Sequence, residues 1–411
     1  MRVFHLTTEF PWPAISGGPV RTLSQLRLIA SLPEVEHVTL LSVTERGVSE
    51  SDMQALSSAV EKLRVIPPPF HPIHLFDHKR YLPRVVSLRL FGVPYLAGKW
   101  DSRSLRLLVR RELAGNQFHT VFFDHLGMAR YLPEISPYRP RCRIVLDQHN
   151  VESEFFRQYA DETTGPLAPI VRAEFRAARR FEVRSMRAAD AVVAISREDA
   201  ESFQRVSGIS ASIVPLFVPF QRLPRPHPQT PHFCYLGNLR WRPNVRGLDW
   251  FCGKVWPLVR HRLPDATLEI AGVGLKPDAA GHLPVPPAWQ VPGVRTVGFL
   301  EDLEPLYRRS LAMLAPTVGG SGVRMKLLEG FRAGLPVITT SDGAKGLSLV
   351  DGEQVLIADD PQGFAEQMTR IADGHSLRDH IREAAYGYLE QNHSLAVSQS
   401  AMRCVLGLDF P

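Results

Sequence analysis

Short apolar runs alternate with amphipathic stretches along the whole chain. In the first half, six apolar runs predict buried strands at residues 3–8, 37–43, 120–123, 143–147, 191–196 and 211–216. Helical spacing between them predicts helices over 20–32, 102–113 and 169–188. Strand–helix alternation of this kind indicates a parallel sheet with helices on both faces.

The alternation stops at residues 215–232, which contain six prolines and predict a linker. Beyond it, strands are expected at 233–238, 266–272, 311–316, 335–340 and 354–359, and helices at 244–263, 323–333, 361–373 and 378–391. We therefore predict an α/β fold with two doubly wound domains, 1–218 and 233–391, a linker at 219–232 and a closing helix in 392–411. Ligands of such sheets bind beyond the carboxyl ends of the strands, so the site is expected in a cleft between the two domains.

Composition narrows the class of protein. The 411 residues suit two domains, and the four scattered cysteines favour a reducing, cytoplasmic setting without structural zinc or disulfides. The sequence contains neither a secretory signal nor an apolar run long enough to span a membrane. The net charge of +6 is uneven, because residues 62–187 hold 22 Lys and Arg against 12 Asp and Glu. This region is either an anion-binding surface, such as one for membrane lipids, or a solvated arginine-rich face.

The stretch GGSGVRMKLLEGFRAGLP (319–336) carries the strongest chemical signal. A glycine-rich loop leads into a helix that Gly334 and Pro336 end. Arg324 and Lys326 fall in the predicted first turn, where the helix dipole favours anions, so a bound anion is expected to compensate them. Glu329, one and a half turns into the helix, is placed either to accept hydrogen bonds from ribose hydroxyls or to pair with a neighbouring cation.

Four stretches in order resemble one family: SGGPVRTLSQL (16–26), LDQHNVESEFF (146–156), YLGNLRWRPNVRGLDWF (235–251) and GSGVRMKLLEGFRAGLPVITTSDGAKGL (320–347). The family is glycosyltransferase family 4, whose members are retaining nucleotide-sugar transferases of the GT-B fold. The resemblance implies two Rossmann-like domains facing across a cleft. It also implies transfer of a sugar from a nucleoside-diphosphate sugar to a hydroxyl acceptor, with that donor as co-substrate and no cofactor.

The motifs and the resemblance together predict the site residues. His149, Arg324 and Lys326 are the predicted catalytic residues. The predicted donor-binding residues are Gly18, Gly237, Arg240, Ser321, Gly322, Val323, Arg324, Lys326, Leu328 and Glu329. In the family this histidine contacts the donor sugar, although a lone loop histidine is by default merely hydrogen-bonded; likewise, Gly17 and Gly18 before a helix either approach a ligand or form a tight turn.

The sequence departs from the family at two places. Ser321 stands where the family has its first glutamate, which leaves the sugar unidentified. Asn244 stands near an expected lysine that binds the diphosphate, so Arg324 and Lys326 are inferred to neutralise the diphosphate, with help from Arg240.

The acceptor side is less marked. Asp124, His125 and Asn150 are predicted to border it. The expected acceptor is a glycan, a lipid-linked or a small molecule, and the basic region 62–187 is predicted to make peripheral contact with the inner membrane face. No Asp-x-Asp motif occurs, so catalysis without a metal ion is predicted, with cations and the helix dipole carrying the charge.

Two other functions stay open: a nucleotide-sugar epimerase of the same fold and a non-catalytic nucleotide-sugar-binding protein. NAD binding is disfavoured because no GxGxxG fingerprint is present, and nucleic-acid binding is disfavoured because no known module is recognisable.

Overall fold

The structure is a computed structural model. It describes residues 1–14, 17–44, 47–71, 90, 92–222, 225, 228–275, 277–278, 281–319 and 323–408. The chain divides into two compact units. The first unit comprises Met1–Phe217 and the residues from Ala396 onward, and the second comprises Val218–Leu395.

The first unit is built on a parallel sheet of seven strands in the order β3-β2-β1-β4-β5-β6-β7. The strands are β1 Arg2–Thr7, β2 His37–Ser42, β3 Leu63–Val65, β4 Thr120–Asp124, β5 Arg143–Asp147, β6 Ala191–Ala194 and β7 Ser212–Ile213. The described α-helices of this part of the chain are α1 Gly17–Ala30, α2 Glu50–Ala59, α3 Tyr95–Gly98, α4 Arg103–Gly115, α5 Leu132–Ile135, α6 Glu152–Glu162, α7 Ala168–Ala188 and α8 Arg197–Ser207. The central strands are buried on both faces, as their unbroken apolar runs require.

The second unit repeats the plan with six parallel strands in the order β10-β9-β8-β11-β12-β13. They are β8 His232–Leu236, β9 Thr267–Ala271, β10 Val294–Gly298, β11 Ala312–Ala315, β12 Val337–Thr339 and β13 Leu356–Ile357. Its described α-helices are α9 Arg242–Trp250, α10 Trp256–Arg262, α11 Glu304–Arg309, α12 Met325–Arg332, α13 Ser341–Ala344, α14 Pro361–Asp373 and α15 His375–His393. Two units of doubly wound α/β structure confirm the predicted fold class.

The last helix, α16 Leu395–Leu406, contributes to the core of the first unit. Met402, Val405 and Leu406 are buried in one apolar cluster with Val3 and Val38 of the sheet. Phe4 and Phe123 of the same sheet belong to a separate apolar cluster. The C-terminal segment therefore stabilises the sheet of the first unit.

Several boundaries differ from the predictions for local reasons. The predicted helix 244–263 is α9, one wide turn over Phe251–Val255, and α10. The pitch changes just before Pro257, which has no amide hydrogen to donate to the helix. The strands β3 and β10 were not predicted, because both are only partly buried and therefore lack an apolar run.

Two corrections affect the predicted site. The helix expected from 323 begins at Met325, because Arg324 has an extended backbone with φ −86° and ψ 93°. Of the two cations, only Lys326 therefore lies in the first turn of the helix, and Arg324 directly precedes the helix. In the first unit, α1 already begins at Gly17, so Gly17 and Gly18 open the helix instead of preceding it.

Candidate functional site

The strand order reverses between β1 and β4 in the first unit and between β8 and β11 in the second. The loops after these strands diverge, which leaves backbone and polar groups accessible at the carboxyl ends of the strands. Arg324 and Lys326 follow the switch-point strand β11, and His149 follows β5, the strand beside β4. The structure thus describes two clusters, one in each unit.

A buried ion pair anchors the cluster of the first unit. Arg21 of α1 donates to both carboxylate oxygens of Asp147 at the end of β5, at 2.6 and 3.1 Å. Gln25, one turn further along α1, donates to the same carboxylate at 2.7 Å. Arg21 is 3% exposed and Asp147 is fully buried, so this bidentate pair fixes α1 against the strand end.

Asp124, the last residue of β4, binds the predicted catalytic histidine. His149 Nε2 lies 2.6 Å from Asp124 Oδ1 and 3.3 Å from Asp147 Oδ2. The other oxygen, Asp124 Oδ2, accepts the hydroxyl of Thr22 and lies 3.3 Å from His5 Nε2. Asp124 was expected at the acceptor border as a strand-following residue, but it is fully buried within the strand. Its position makes it a partner of His149.

Burial and charge act in opposite directions on this cluster. Burial lowers the pKa of His149, but the carboxylates of Asp124 and Asp147 outweigh burial and raise this pKa to about 9. Burial raises the pKa of Asp124, but the imidazoles of His149 and His125 hold it well below its ordinary value. His149 is therefore an imidazolium at neutral pH, with Nε2 facing the carboxylates.

The other predicted residues of this unit surround the same place. The ring centroids of His125 and His149 are 3.6 Å apart, and His125 has a left-handed backbone with φ +80°. A Cβ added to Gly18 would lie 2.3 Å from Glu9 Oε1 and 4.0 Å from His125 Nε2, so the glycine permits close approach here. Asn150 is half-buried just before α6; no role is assigned to its side chain.

One group of side chains has the composition of a metal site. Ligand atoms of Asp124, His125 and His149 lie within 4.8 Å of one another. The same atoms are hydrogen-bonded or ion-paired with one another, since His149 Nε2 is 2.6 Å from the carboxylate. Binding a cation there would displace the proton that they share, and metal independence remains a prediction.

Glycines allow close packing at the second switch point. A Cβ on Gly237, directly after β8, would lie 2.9 Å from the Tyr235 hydroxyl and 3.0 Å from Asn244 Nδ2. One on Gly247 would lie 1.7 Å from the carbonyl oxygen of Pro316. Helix α9 can approach the ends of β8 and β11 this closely only because these positions lack side chains.

Lys326 reaches from the first turn of α12 to the end of β8. Its Nζ donates to Asn244 Oδ1 at 2.7 Å and to the Tyr235 hydroxyl at 3.2 Å, and it lies 4.6 Å from the centre of the Tyr235 ring. Burial, together with the charge of Arg324, lowers the pKa of Lys326 to about 7.

Arg324 is held by the loop that precedes α12. Its guanidinium lies over the Trp241 ring, 5.1 Å from the centre, and donates to the Gly319 carbonyl at 3.0 Å. The amide of Gly319 donates in turn to Asp342, which also pairs with Lys345. Arg324 before α12 and Lys326 in its first turn place two cations at the start of a helix, an arrangement suited to an anion.

The remaining predicted donor residues have varied surroundings. Glu329 accepts hydrogen bonds from Arg332 at 2.6 and 2.9 Å and from the Tyr307 hydroxyl at 2.7 Å, which is the cation pairing that the sequence left open. Arg240 is exposed, and Leu328 is buried. Val323 is half-buried at the start of this described segment, whereas Ser321 and Gly322 lie outside the described residues.

Sequence reasoning missed several residues of these clusters. Arg21, Gln25, Tyr235 and Trp241 were assigned no role, yet each contacts a predicted site residue or its partner. Arg21 and Gln25 had a usable signal, since they lie four residues apart on the apolar face of a helix.

Most of the second unit matches a known protein family. Residues 230–373 match the model of the family described as "Glycosyl transferases group 1". The chain is 22% identical over 402 residues to a Klebsiella pneumoniae protein described as an uncharacterized 44.6 kDa protein in a cps region, covering 95% of this chain and 96% of the relative.

Solved structures cover nearly the whole chain. HepE of Anabaena, in complex with UDP and glucose, matches with a TM-score of 0.66 and 12% identity over 99% of this chain and 100% of that one. Sucrose-phosphate synthase of Thermosynechococcus elongatus matches with a TM-score of 0.67 and 13% identity, covering 99% of this chain and 98% of that one. S. aureus TarM matches with a TM-score of 0.69 and 9% identity, covering 98% of this chain and 99% of that one. Both units together have the GT-B fold, and the domain match supports a glycosyltransferase.

The imidazolium of His149 predicts a measurable titration. A raised pKa means that this group's contribution to stability is complete below the ordinary histidine value of about 6.5 and is lost as the pH rises through about 9. In ¹⁵N-histidine NMR spectra we expect His149 to titrate near pH 9 and, in Asp124→Asn, at clearly lower pH. The control Glu198→Gln, an exposed carboxylate of the same unit, should leave the titration unchanged. A His149 midpoint near 6.5 in the wild type would contradict the charge assignment.

Proposed function

We propose that the protein is a glycosyltransferase that moves a sugar from a nucleoside-diphosphate sugar to a hydroxyl acceptor with retention of configuration. One observation carries this proposal: Arg324 and Lys326 meet at a glycine-lined switch point inside the matched family domain. The acceptors that Lys326 contacts are the neutral oxygens of Tyr235 and Asn244, so the positive charge of this cluster suits the diphosphate of a donor.

The chemistry requires stabilisation of a leaving group. Breaking the bond between the anomeric carbon and the phosphate oxygen moves an electron pair onto the nucleoside diphosphate. Lys326, Arg324 and the first amides of α12 are suited to stabilise that charge. Loss of one such donor typically lowers the rate by about 100-fold or more.

His149 is assigned to the donor sugar, as the resemblance to family 4 implies. Because its imidazole is already protonated at neutral pH, it is suited to donate a hydrogen bond and not to remove the acceptor's proton. No protein nucleophile is assigned, which agrees with attack on the face from which the diphosphate departs. The acceptor then enters as a hydroxyl of a glycan, a lipid-linked or a small molecule, at the cytoplasmic side.

The donor proposal is tested by a thermal-shift screen of UDP-, GDP-, ADP-, dTDP- and CMP-sugars. We expect a diphosphate donor to raise the unfolding temperature and CMP-sugars to have no effect, because they lack the second phosphate. UDP-sugars come first, since the HepE structure contains UDP. Arg324→Ala and Lys326→Ala should each abolish the shift, and Arg370→Ala, an exposed cation on α14, should preserve it.

Turnover separates the transferase from its alternatives. A transferase incubated with donor alone should give only slow hydrolysis, whereas an epimerase would convert it into another nucleotide sugar. Binding without turnover across an acceptor panel would point to a non-catalytic binding protein. A shift that persists in both Ala variants would refute the placement of the diphosphate.

Metal-independent transfer is the second part of the proposal. The cations of the second unit supply the positive charge that a bound divalent ion would otherwise provide. Transfer measured in excess EDTA should therefore equal transfer in Mg²⁺ or Mn²⁺ within about twofold. A loss of tenfold or more that either metal restores would contradict this, and the Asp124 cluster would then be the first place to look for the ion.

Peripheral membrane contact is proposed for the helical hairpin α6–α7 of the basic region. Six arginines are exposed along one side of α7, about 22 Å from end to end, and opposite its buried face: Arg172, Arg176, Arg179, Arg180, Arg184 and Arg187. None of the six forms an ion pair with any residue that the structure describes. Exposed apolar side chains of Tyr159, Leu167 and Ile170 lie at the turn of the hairpin. Such a surface suits anionic headgroups.

Residues 72–89 and 91, which also belong to the basic region, lie outside the described part of the chain. No described helix is long and apolar enough to cross a bilayer.

Vesicle sedimentation tests this contact. Replacing Arg172, Arg176 and Arg180 by Gln should weaken binding to anionic phosphatidylglycerol vesicles by about 100-fold, at about 1 kcal/mol per arginine. The matched variant with Arg197, Arg205 and Arg370 replaced by Gln should bind like the wild type. If the variant with Arg172, Arg176 and Arg180 replaced by Gln binds these vesicles as well as the wild type does, α7 is excluded as the membrane-contacting surface.

A further inference from the structure

The surroundings of Lys326 are unusual for an ammonium group. Its hydrogen-bond acceptors are the amide oxygen of Asn244 on α9 and the hydroxyl of Tyr235 on β8, both neutral. Among the residues that the structure describes, no carboxylate pairs with Lys326. The charged neighbour is the guanidinium of Arg324, directly before the same helix. Among the described residues, Lys326 therefore has the positive charge of Arg324 nearby and no carboxylate as a partner.

The two neutral partners are themselves held in place. Asn244 is 3% exposed, and its Nδ2 donates to the carbonyl oxygen of Asn238 at 3.0 Å, which directs Oδ1 toward the ammonium. Tyr235 is fully buried in the central strand of the sheet. Both groups thus present fixed oxygens to Lys326 before any ligand arrives, and such pre-organisation lowers the entropy lost on binding.

Other ionisable groups nearby act on different partners. Asp342 on α13 accepts from the Gly319 amide, pairs with Lys345 and interacts with Arg324. Burial and Arg324 lower the pKa of Lys326 to about 7, so much of this side chain is an uncharged amine at slightly alkaline pH. A diphosphate placed beside it would favour the ammonium form.

We propose that Asn244 and Tyr235 are positioning residues that hold Lys326 in the diphosphate subsite, and that the diphosphate enters together with one proton, which converts the amine of Lys326 to an ammonium. This inference rests on the proposed function, because it requires a diphosphate ligand. The proton comes from solvent, and one N–H bond forms without any redox step. Above pH 7 the affinity therefore falls as the pH rises, since each binding event consumes a proton.

The arrangement also explains the second departure from family 4. Asn244 stands near the position where the family resemblance places a lysine, and the Nζ of Lys326 lies 2.7 Å from its side chain. In this chain the cation beside position 244 is Lys326 of α12. In family 4, the resemblance places a lysine just after the first strand of the second domain instead. A second cation at position 244 would repel the first.

The test is isothermal titration calorimetry of the full chain with UDP at pH 8, in HEPES and in Tris. These buffers differ in ionisation enthalpy, so the difference in observed heat reports the protons taken up. At pH 8 the terminal phosphate of UDP, with a pKa of about 6, is already ionised and contributes little. We expect about one proton per UDP, and an affinity that falls by nearly tenfold between pH 7.5 and 8.5.

Two variants assign the proton to Lys326. Lys326→Arg keeps a permanent charge, so it should bind UDP with no proton uptake and with an affinity that no longer depends on pH in this range. Asn244→Asp should pair with Lys326 and keep it charged in the free protein; uptake should then vanish and affinity fall at least tenfold. A purely structural role for Asn244 would lower affinity without changing the proton count.

The outcomes separate this inference from the proposed function. UDP binding to the wild type without proton uptake, or unchanged uptake in Lys326→Arg, overturns the inference and leaves the glycosyltransferase proposal intact. If no nucleoside diphosphate binds at any pH, the donor site itself is wrong and both proposals fail. Tyr235→Phe, which keeps the ring beneath the ammonium, should weaken UDP binding several-fold, and an unchanged affinity would remove Tyr235 from the positioning role.

Discussion

The reversal of strand order in each parallel sheet is the constraint on which the rest of the structure depends. At that point the connecting segments on either side run to opposite faces of the sheet, so the strand ends between them are not covered. In the first unit Asp124 ends the switch-point strand β4 and Asp147 ends its neighbour β5; in the second, Gly237 follows β8 and Gly319 follows β11. Backbone amides and short side chains become available there, whereas the middles of the central strands are buried on both faces.

The two switch points use this opening with opposite electrostatics. In the first unit, two buried carboxylates are matched by Arg21 and His149, and the cluster is internally neutralised. In the second, Lys326 meets neutral oxygens beside Arg324 and leaves positive charge for a ligand to neutralise. The first arrangement fixes a cationic side chain against carboxylates, and the second is the basis for the proposed diphosphate site and its coupling to protonation.

Local patterns were sufficient for much of the molecule. The central strands, the second unit's glycine-rich loop and the cations at 324 and 326 were all predictable, because burial on both faces, turn residues and helix stops leave signals within a few residues. The partly buried strands β3 and β10 show no clear apolar run and were missed. The start of α12 was placed two residues early, since nothing in the sequence specifies the extended backbone of Arg324.

The sequence by itself determined the α/β class, the two repeated sheets and the position of the glycine-rich loop before α12, because these depend on hydrophobic period and local turn chemistry. Only the tertiary structure decided which side chains meet. Asp147 pairs with Arg21 across 126 residues, and Lys326 reaches Asn244 across 82. Such pairs depend on the order of strands in a sheet and on close approach at glycines, and neither is encoded in the spacing of neighbouring residues.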